Sequence, residues 1–264
     1  MNESKQELIQ ANENFHVVNR AEIDCQIATA KQYPRKTNEA FQEALAMVTM
    51  DQETAESCMY CLPRGNKPIK GASVRLSEIA AYCWGNLHAA TRITGNDGRF
   101  VTAEAVAWDL EKNIKISVEK KRSIRGKDGK TYNADMQTVT ANAAASIALR
   151  DAIFKAIPKN FINKLYDAAV KCALGDIKSL AQRRDRVLSY FSKLGVTLEK
   201  VLTTFQVAKV EDIDQAHLEM MIGTANALKE GSISVENAFP EPGEDITMPE
   251  SAQDLNRLIF DEKK

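Results

Sequence analysis

The sequence predicts an α+β fold: a three-stranded antiparallel meander backed by one long helix, with a helical N-terminal part and a small helical C-terminal unit. Three observations predict it. Residues 87–124 hold three runs of alternating apolar and polar residues separated by turn-formers. Asp135 to Ile157 is a long Ala-rich apolar stretch that stops at Pro158. The segments on either side carry helical spacing rather than strand alternation.

Each element follows in order. Residues 1–20 are polar and read as frayed chain or a loose helix. Ala21–Ala30 puts Ile23 and Ile27 on one helical face, and Tyr33-Pro34 breaks it. Thr37–Thr49 is a second helix with Phe41, Leu45 and Val48 on one side and Thr37 as its cap. Asp51 opens a short helix expected to run through Cys61, and Pro63 to Gly71 reads as a basic Pro/Gly loop. Ser73 caps a helix through Trp84, with Val74, Ile79 and Tyr82 as core contacts, and Gly85-Asn86 ends it.

Strand one is Leu87–Thr94. Gly95-Asn96-Asp97-Gly98 makes a hairpin turn because these residues tolerate positive φ. Arg99–Trp108 is strand two. Phe100, Thr102, Glu104, Val106 and Trp108 share one side of it, and Val101, Ala103, Ala105 and Ala107 the other. After the Asp109–Asn113 turn, strand three turns Ile114, Ile116 and Val118 inward and Lys115, Ser117 and Glu119 outward. Ala143, Ala144 and Ala145 let the long helix approach the sheet closely. Helices follow at Phe161–Ala173, Asp176–Lys193, Leu198–Phe205, Ile213–Leu228 and Val235–Phe239. Residues 240–250 read as a linker and Ser251–Phe260 as a short apolar helix. This predicts a core over 1–187 (helical 21–84, meander 87–124, helices 135–187), a helical unit over 188–239 and an acidic tail over 240–264.

With 264 residues the chain can bury one sizeable core or two unequal ones. No apolar run approaches the roughly 20 residues that cross a bilayer. The N-terminus lacks a hydrophobic signal core, and five irregularly spaced cysteines suit a reducing compartment, so a cytoplasmic protein without membrane attachment is expected. The net charge of −1 hides a split. From Lys209 onward five basic residues face 13 acids, a net of −8, while residues 1–208 hold 30 basic and 23 acidic residues, a net of +7. The front part is suited to an anionic partner.

The densest positive stretch is Lys112 to Lys130, with eight Lys/Arg against Glu119 and Asp128. Phosphate contacts require Lys or Arg on a surface that tracks a nucleic-acid backbone. Lys115, Lys120, Lys121, Arg122, Arg125, Lys127 and Lys130 are candidates. Arg75, Arg92, Arg99, Arg150, Lys155 and Lys159 would extend the groove. The same stretch also fits a solvated hairpin edge kept basic against aggregation. Trp84, Trp108 and Tyr132 lie near enough in sequence to stack on bases, although core packing suits both tryptophans better. Cys58-Met-Tyr-Cys61 has the spacing of half a zinc site but lacks a second pair, so plain thiols on a helix are expected.

Glu78 on a helix, Asp109 after strand two and Glu119-Lys120-Lys121 on strand three resemble the PD-(D/E)xK nuclease core, where two carboxylates hold Mg²⁺ and the lysine positions water. The chain departs from that pattern where Asp109 falls in a turn and where a helix follows Pro158 instead of a fourth strand. No Walker loop, dinucleotide fingerprint or nucleophile–base arrangement is present in the sequence.

The order helical part, β-β-β meander, long helix with Ser146-Ile-Ala-Leu-Arg-Asp-Ala-Ile-Phe-Lys155, then a small acidic helical unit at 188–239 resembles the phage single-strand annealing recombinases of the RecT/Redβ/Erf superfamily. The runs Val139 to Arg150 and Leu228 to Phe239 carry the likeness, which spans about residues 21–240. The resemblance implies an ATP-independent single-stranded DNA-binding and annealing protein without cofactor or catalytic residues. It also implies ring or filament homo-oligomers, and a C-terminal unit that docks an exonuclease or a single-strand-binding protein. The rival expectations are a Mg²⁺-dependent nuclease using Glu78, Asp109, Glu119 and Lys121, and a non-enzymatic assembly or adaptor protein.

Overall fold

The computed structural model describes residues 20–63, 68–126, 129–175 and 180–240. Within them the chain runs α1 (20–32), α2 (Thr37–Val48), α3 (Gln52–Ser57), β1 (Met59–Leu62), β2 (Ile69–Ala72), α4 (Val74–Trp84), β3 (Leu87–Asn96), β4 (Phe100–Asp109) and β5 (Ile114–Ser123). It continues through α5 (Ala134–Ala156), α6 (Lys159–Leu174), α7 (Leu180–Lys193), α8 (Leu198–Phe205), a 3-10 turn at Val210–Asp212, α9 (Gln215–Lys229) and α10 (Val235–Ala238). The fold is mixed α and β, with the expected antiparallel meander β3-β4-β5. No helix among the described residues is long and apolar enough to cross a membrane.

Local chemistry explains the meander. Asp97 Oδ1 accepts from the backbone N–H of Arg99 (2.8 Å) and Phe100 (2.6 Å), and Gly98 takes φ +79°. These bonds close the first hairpin. Asn113 at φ +55° and Asp109, whose Oδ1 accepts from the N–H of Glu111 and Lys112 (both 3.1 Å), close the second. β4 pairs with β3 from Leu87↔Asp109 to Asn96↔Val101, and with β5 from Asp109↔Ile114 to Phe100↔Ser123.

The alternation of β4 decides what covers the sheet. Val101, Ala103, Ala105 and Ala107 are buried, while Thr102, Glu104, Val106 and Trp108 stay partly exposed. α5 lies across the buried side and meets it with Ala143, Ala144, Ala148 and Ala152. Alanine facing alanine brings helix and sheet close and leaves no room for larger side chains. Asn133 caps α5 by accepting from Met136 N–H at 2.9 Å, and the chain restarts as α6 after Pro158. α2, α4 and α6 complete this core, where Phe161 packs edge-on against Trp84 and Phe41 at 5.0 and 5.6 Å.

Several expectations need correction. The helix opened by Asp51 stops at Ser57, and Met59–Leu62 pairs with Ile69–Ala72 as a β-hairpin, Met59↔Ala72 to Leu62↔Ile69. A four-residue apolar run does not distinguish strand from helix by period, and here all four residues are buried. Residues 64–67 of the expected loop lie outside the described residues. Tyr82, expected in the core, is 71% exposed, and α4 buries Leu76, Ala80, Cys83 and Trp84 instead. α7 runs from Leu180 to Lys193, across residues 187 and 188.

The hairpin β1-β2 shares one core with α7, α8, α9 and α10, centred on Phe191, Phe205 and Phe239. Gly223 makes the seam possible. A Cβ there would stand 2.7 Å from the Cys61 backbone nitrogen, so only glycine lets α9 lie on β1. Asn226 Nδ2 then donates to the carbonyls of Glu56 (2.7 Å) and Met59 (2.8 Å). The residues of the expected tail helix, Ser251–Phe260, lie outside the described residues, as do 1–19.

Candidate nucleic-acid interface

Among the described residues, the side of the sheet away from α5 has no helix over most of its area. By register it presents His88, Ala90 and Arg92 from β3, Phe100, Thr102, Glu104, Val106 and Trp108 from β4, and Lys115, Ser117, Glu119 and Lys121 from β5. Phe100 and Trp108 stand at opposite ends of β4. Eight residues separate them, roughly 27 Å of strand. Phe100 is 43% exposed, and the Lys115 ammonium sits 5.7 Å from the centroid of the Trp108 ring. Trp108 Nε1 donates to Asn113 Oδ1 at 3.3 Å, which fixes the indole at the rim.

Between the aromatics lies a polar middle. Arg92 Nη2 donates to Glu104 Oε2 at 2.8 Å, and Ser117 Oγ donates to Glu104 Oε1 at 2.9 Å. The hydrogen bond from Arg92, then that from Ser117, hold the Glu104 carboxyl below its ordinary value, so it stays ionised. A shallow cleft of about 420 Å³ runs along Trp108, Lys115, Arg92 and His88. α1 edges it through Ile23 and through Gln26, whose Oε1 lies 3.1 Å from His88 Nδ1.

The Arg99 end of the sheet gathers further cations. Ile124 N–H donates to Arg99 O (3.0 Å), Gly126 N–H to Lys130 O (3.0 Å) and Thr131 Oγ1 to Gly98 O (3.4 Å). These bonds fold the loop after β5 against the first hairpin turn. Arg99, Arg125 and Lys130 are exposed at this end of the sheet, and Lys121 is exposed on β5. Lys121 Nζ is 3.8 Å from the Glu119 carboxylate, a weak surface pair. Lys127 lies outside the described residues.

Several candidate contacts are not on this face. Lys120 is 7% exposed, and its ammonium pairs with Asp151 at 3.0 Å under α5. Arg122 reaches the C-terminal region, where Nη1 donates to Ser232 O at 3.1 Å. Arg150 is fully buried, with Nε 3.1 Å from Asp151 Oδ1 and its guanidinium 4.9 Å from the centroid of the Tyr60 ring. Lys120 and Arg150 are withdrawn from solvent, and half-buried Arg122 is tied to the C-terminal region. The alternation that turns Ile116 and Val118 inward, carried on by two and four residues, also turns Lys120 and Arg122 inward. Arg75, Lys155 and Lys159 are exposed, but they belong to the helical layer on the other side of the sheet. Arg75 is also paired with Glu78.

The nuclease constellation is not assembled. Asp109 is 2% exposed and accepts from Arg35 Nη1 and Trp84 Nε1, both at 3.0 Å. Burial raises its carboxyl, but the Arg35 and Trp84 bonds outweigh this and leave it below its ordinary value. Asp109 is therefore a satisfied structural acid. Glu119 lies five residues along β5 from Ile114, the partner of Asp109, roughly 17 Å away and on the open face. Glu78 sits on α4. Among the described residues no three His, Cys, Asp or Glu side chains group to hold a metal. Cys58 and Cys61 are buried, and burial pushes both thiols up to about 12, so they remain protonated. Cys61 stands on β1 rather than on a helix.

Trp84 is in the core as expected, whereas Trp108 is on the open face. Its place on the same alternating side as Glu104 and Thr102 was the available signal. A second basic surface, on α7, is marked in the sequence by Arg183-Arg-Asp-Arg186. No family model matches the chain, and no curated protein or solved structure matches it.

Proposed function

We propose that this chain is an ATP-independent single-stranded DNA-binding and annealing protein of the phage recombination type, and that the open face of the β3-β4-β5 sheet holds the strand. One observation carries this reading. Among the described residues the open sheet face has an aromatic ring at each end of β4, with exposed cations toward both ends. Lys115 accompanies Trp108. Toward the Phe100 end are Lys121, opposite Thr102, and the exposed Arg99, Arg125 and Lys130. Stacking on a ring is worth about 1–3 kcal/mol per base and tolerates any sequence, while the cations neutralise phosphates. Annealing then needs no catalytic residue. It needs strands held extended, with their mutual repulsion reduced.

Among the described residues β3 pairs only with β4, and an edge without a strand partner there supports pairing with a second copy in a ring or filament. The acidic surplus after Lys209 supports docking of an exonuclease or a single-strand-binding protein there. The test is fluorescence anisotropy of a labelled oligo-dT across a salt series. Affinity should fall steeply with salt, and Trp108→Ala should weaken binding without lowering the melting temperature. Salt-independent binding, or none at low salt, sinks the reading. Normal oligomers without DNA affinity would instead favour an assembly protein.

A further inference from the structure

A second cleft, of about 490 Å³, opens between α3, α7 and α9, away from the open sheet face. α7 turns Arg183, Arg186, Tyr190 and Lys193 onto one side at spacings of three and four residues, and all four line the cleft. Lys229 of α9 and Arg75 of α4 add two more cations, so five positive side chains face three carboxylates, Glu53, Glu56 and Glu230. The partners already made are partial. Arg186 Nη2 is 2.5 Å from Glu56 Oε1, and the Lys229 ammonium lies 5.2 Å from the centroid of the Tyr190 ring.

Arg183 is the informative residue. It is 7% exposed, yet its Nε and Nη1 find no hydrogen-bond partner among the described residues. A guanidinium is always charged and presents donors in a planar fork that matches the oxygens of phosphate. Withdrawing such a fork from water without acceptors is unfavourable unless a ligand supplies them. The cleft is large enough for a group of nucleotide size.

We infer that this cleft binds a phosphate group, with Arg183 as the buried fork and Arg186, Lys193 and Lys229 around its mouth. The group is a terminal monoester or an internal diester of a nucleic-acid strand, and the two sources are separable. The site is separate from the open sheet face, since none of the residues lining the cleft belongs to β3, β4 or β5.

Isothermal titration of the full chain with inorganic phosphate, at fixed low ionic strength, reads the site directly. One saturable site is expected. Arg186→Ala with Lys193→Ala should weaken it at least tenfold and leave the melting temperature unchanged. Arg183→Met should do the same while keeping the bulk of the side chain. Lys115→Ala with Lys121→Ala should leave phosphate affinity as it was. A 5′-phosphorylated oligo-dT binding tenfold tighter than its 5′-hydroxyl form, with the preference lost in the cleft variant, assigns the monoester. Equal weakening of both forms in that variant assigns the diester. Absence of saturable phosphate heat, or an affinity indifferent to the cleft substitutions, overturns the inference.

Discussion

Lys120 and Lys121 are neighbours on β5 and face opposite worlds. Lys120 points under α5 and pairs with Asp151, whereas Lys121 stands on the open face in solvent. The two tryptophans divide in the same way. Trp84 is 5% exposed and donates to the buried Asp109, while Trp108 lies on the open side beside Lys115. The covered face is alanine and valine, packed against alanines of α5. The open face is aromatic, polar and cationic. Charge density along the sequence is therefore a poor guide to charge on the surface, because strand period two splits any basic run between both faces.

Breaking the covered face should have the largest effect. Asp151→Ala strands Lys120 and Arg150 without their carboxylate, and should lower unfolding free energy by about 3–5 kcal/mol in a denaturant titration. The open-face counterpart Glu119→Ala should change it by under about 0.5 kcal/mol. Equal effects would erase the distinction between the faces. Adjacent positions on β4 sharpen it. Ala105→Leu should cost about 1–3 kcal/mol through overpacking against α5, and Val106→Leu should be close to neutral.

Function should show the reverse order. Trp108→Ala should weaken oligo-dT binding by about 1–3 kcal/mol with little change in melting temperature. Lys121→Ala should reduce the slope of log affinity against log salt by about one. Lys120→Met should leave that slope alone, and a slope lowered equally by both substitutions would place Lys120 on the wrong face.

A last contrast sets a half-buried acid against an exposed one. Burial pushes the Glu230 carboxyl up to about 7, opposed by Arg150 and Arg75 and reinforced by Glu78. Because the folded state holds this proton more tightly than the unfolded chain, the contribution of Glu230 to stability is full below about 4.5 and declines as pH rises through about 7. Glu230→Gln should flatten stability across that window and exceed the parent chain at pH 8. Glu104→Gln, on the exposed face, should not alter the trend there. Identical pH profiles for Glu230→Gln and the parent would remove Glu230 as the source.

Most of the fold was legible because its signals are local. Turn residues at 95–98, the alternation of 99–108, the Ala-rich run and the stop at Pro158 each act within a few residues. The β1-β2 hairpin was not legible, since Met59–Leu62 becomes a strand only against α9, and α9 reaches it only through Gly223. Of the expected contacts, Lys115, Lys121, Arg99, Arg125 and Lys130 are exposed. Lys120 and Arg150 are buried and Arg122 is half-buried, and for the two on β5 the signal was the inward alternation rather than their charge.

The sequence by itself determined that three strands and a long helix form, where each turns, and which residues of each strand share a side. Hydrogen-bonded turns, caps and side-chain period are set by neighbours along the chain. Only the tertiary structure decided which side α5 covers, which cations are thereby buried and which remain for a partner. That choice depends on contacts between segments far apart in sequence, such as Asp151 with Lys120 and Gly223 with Cys61.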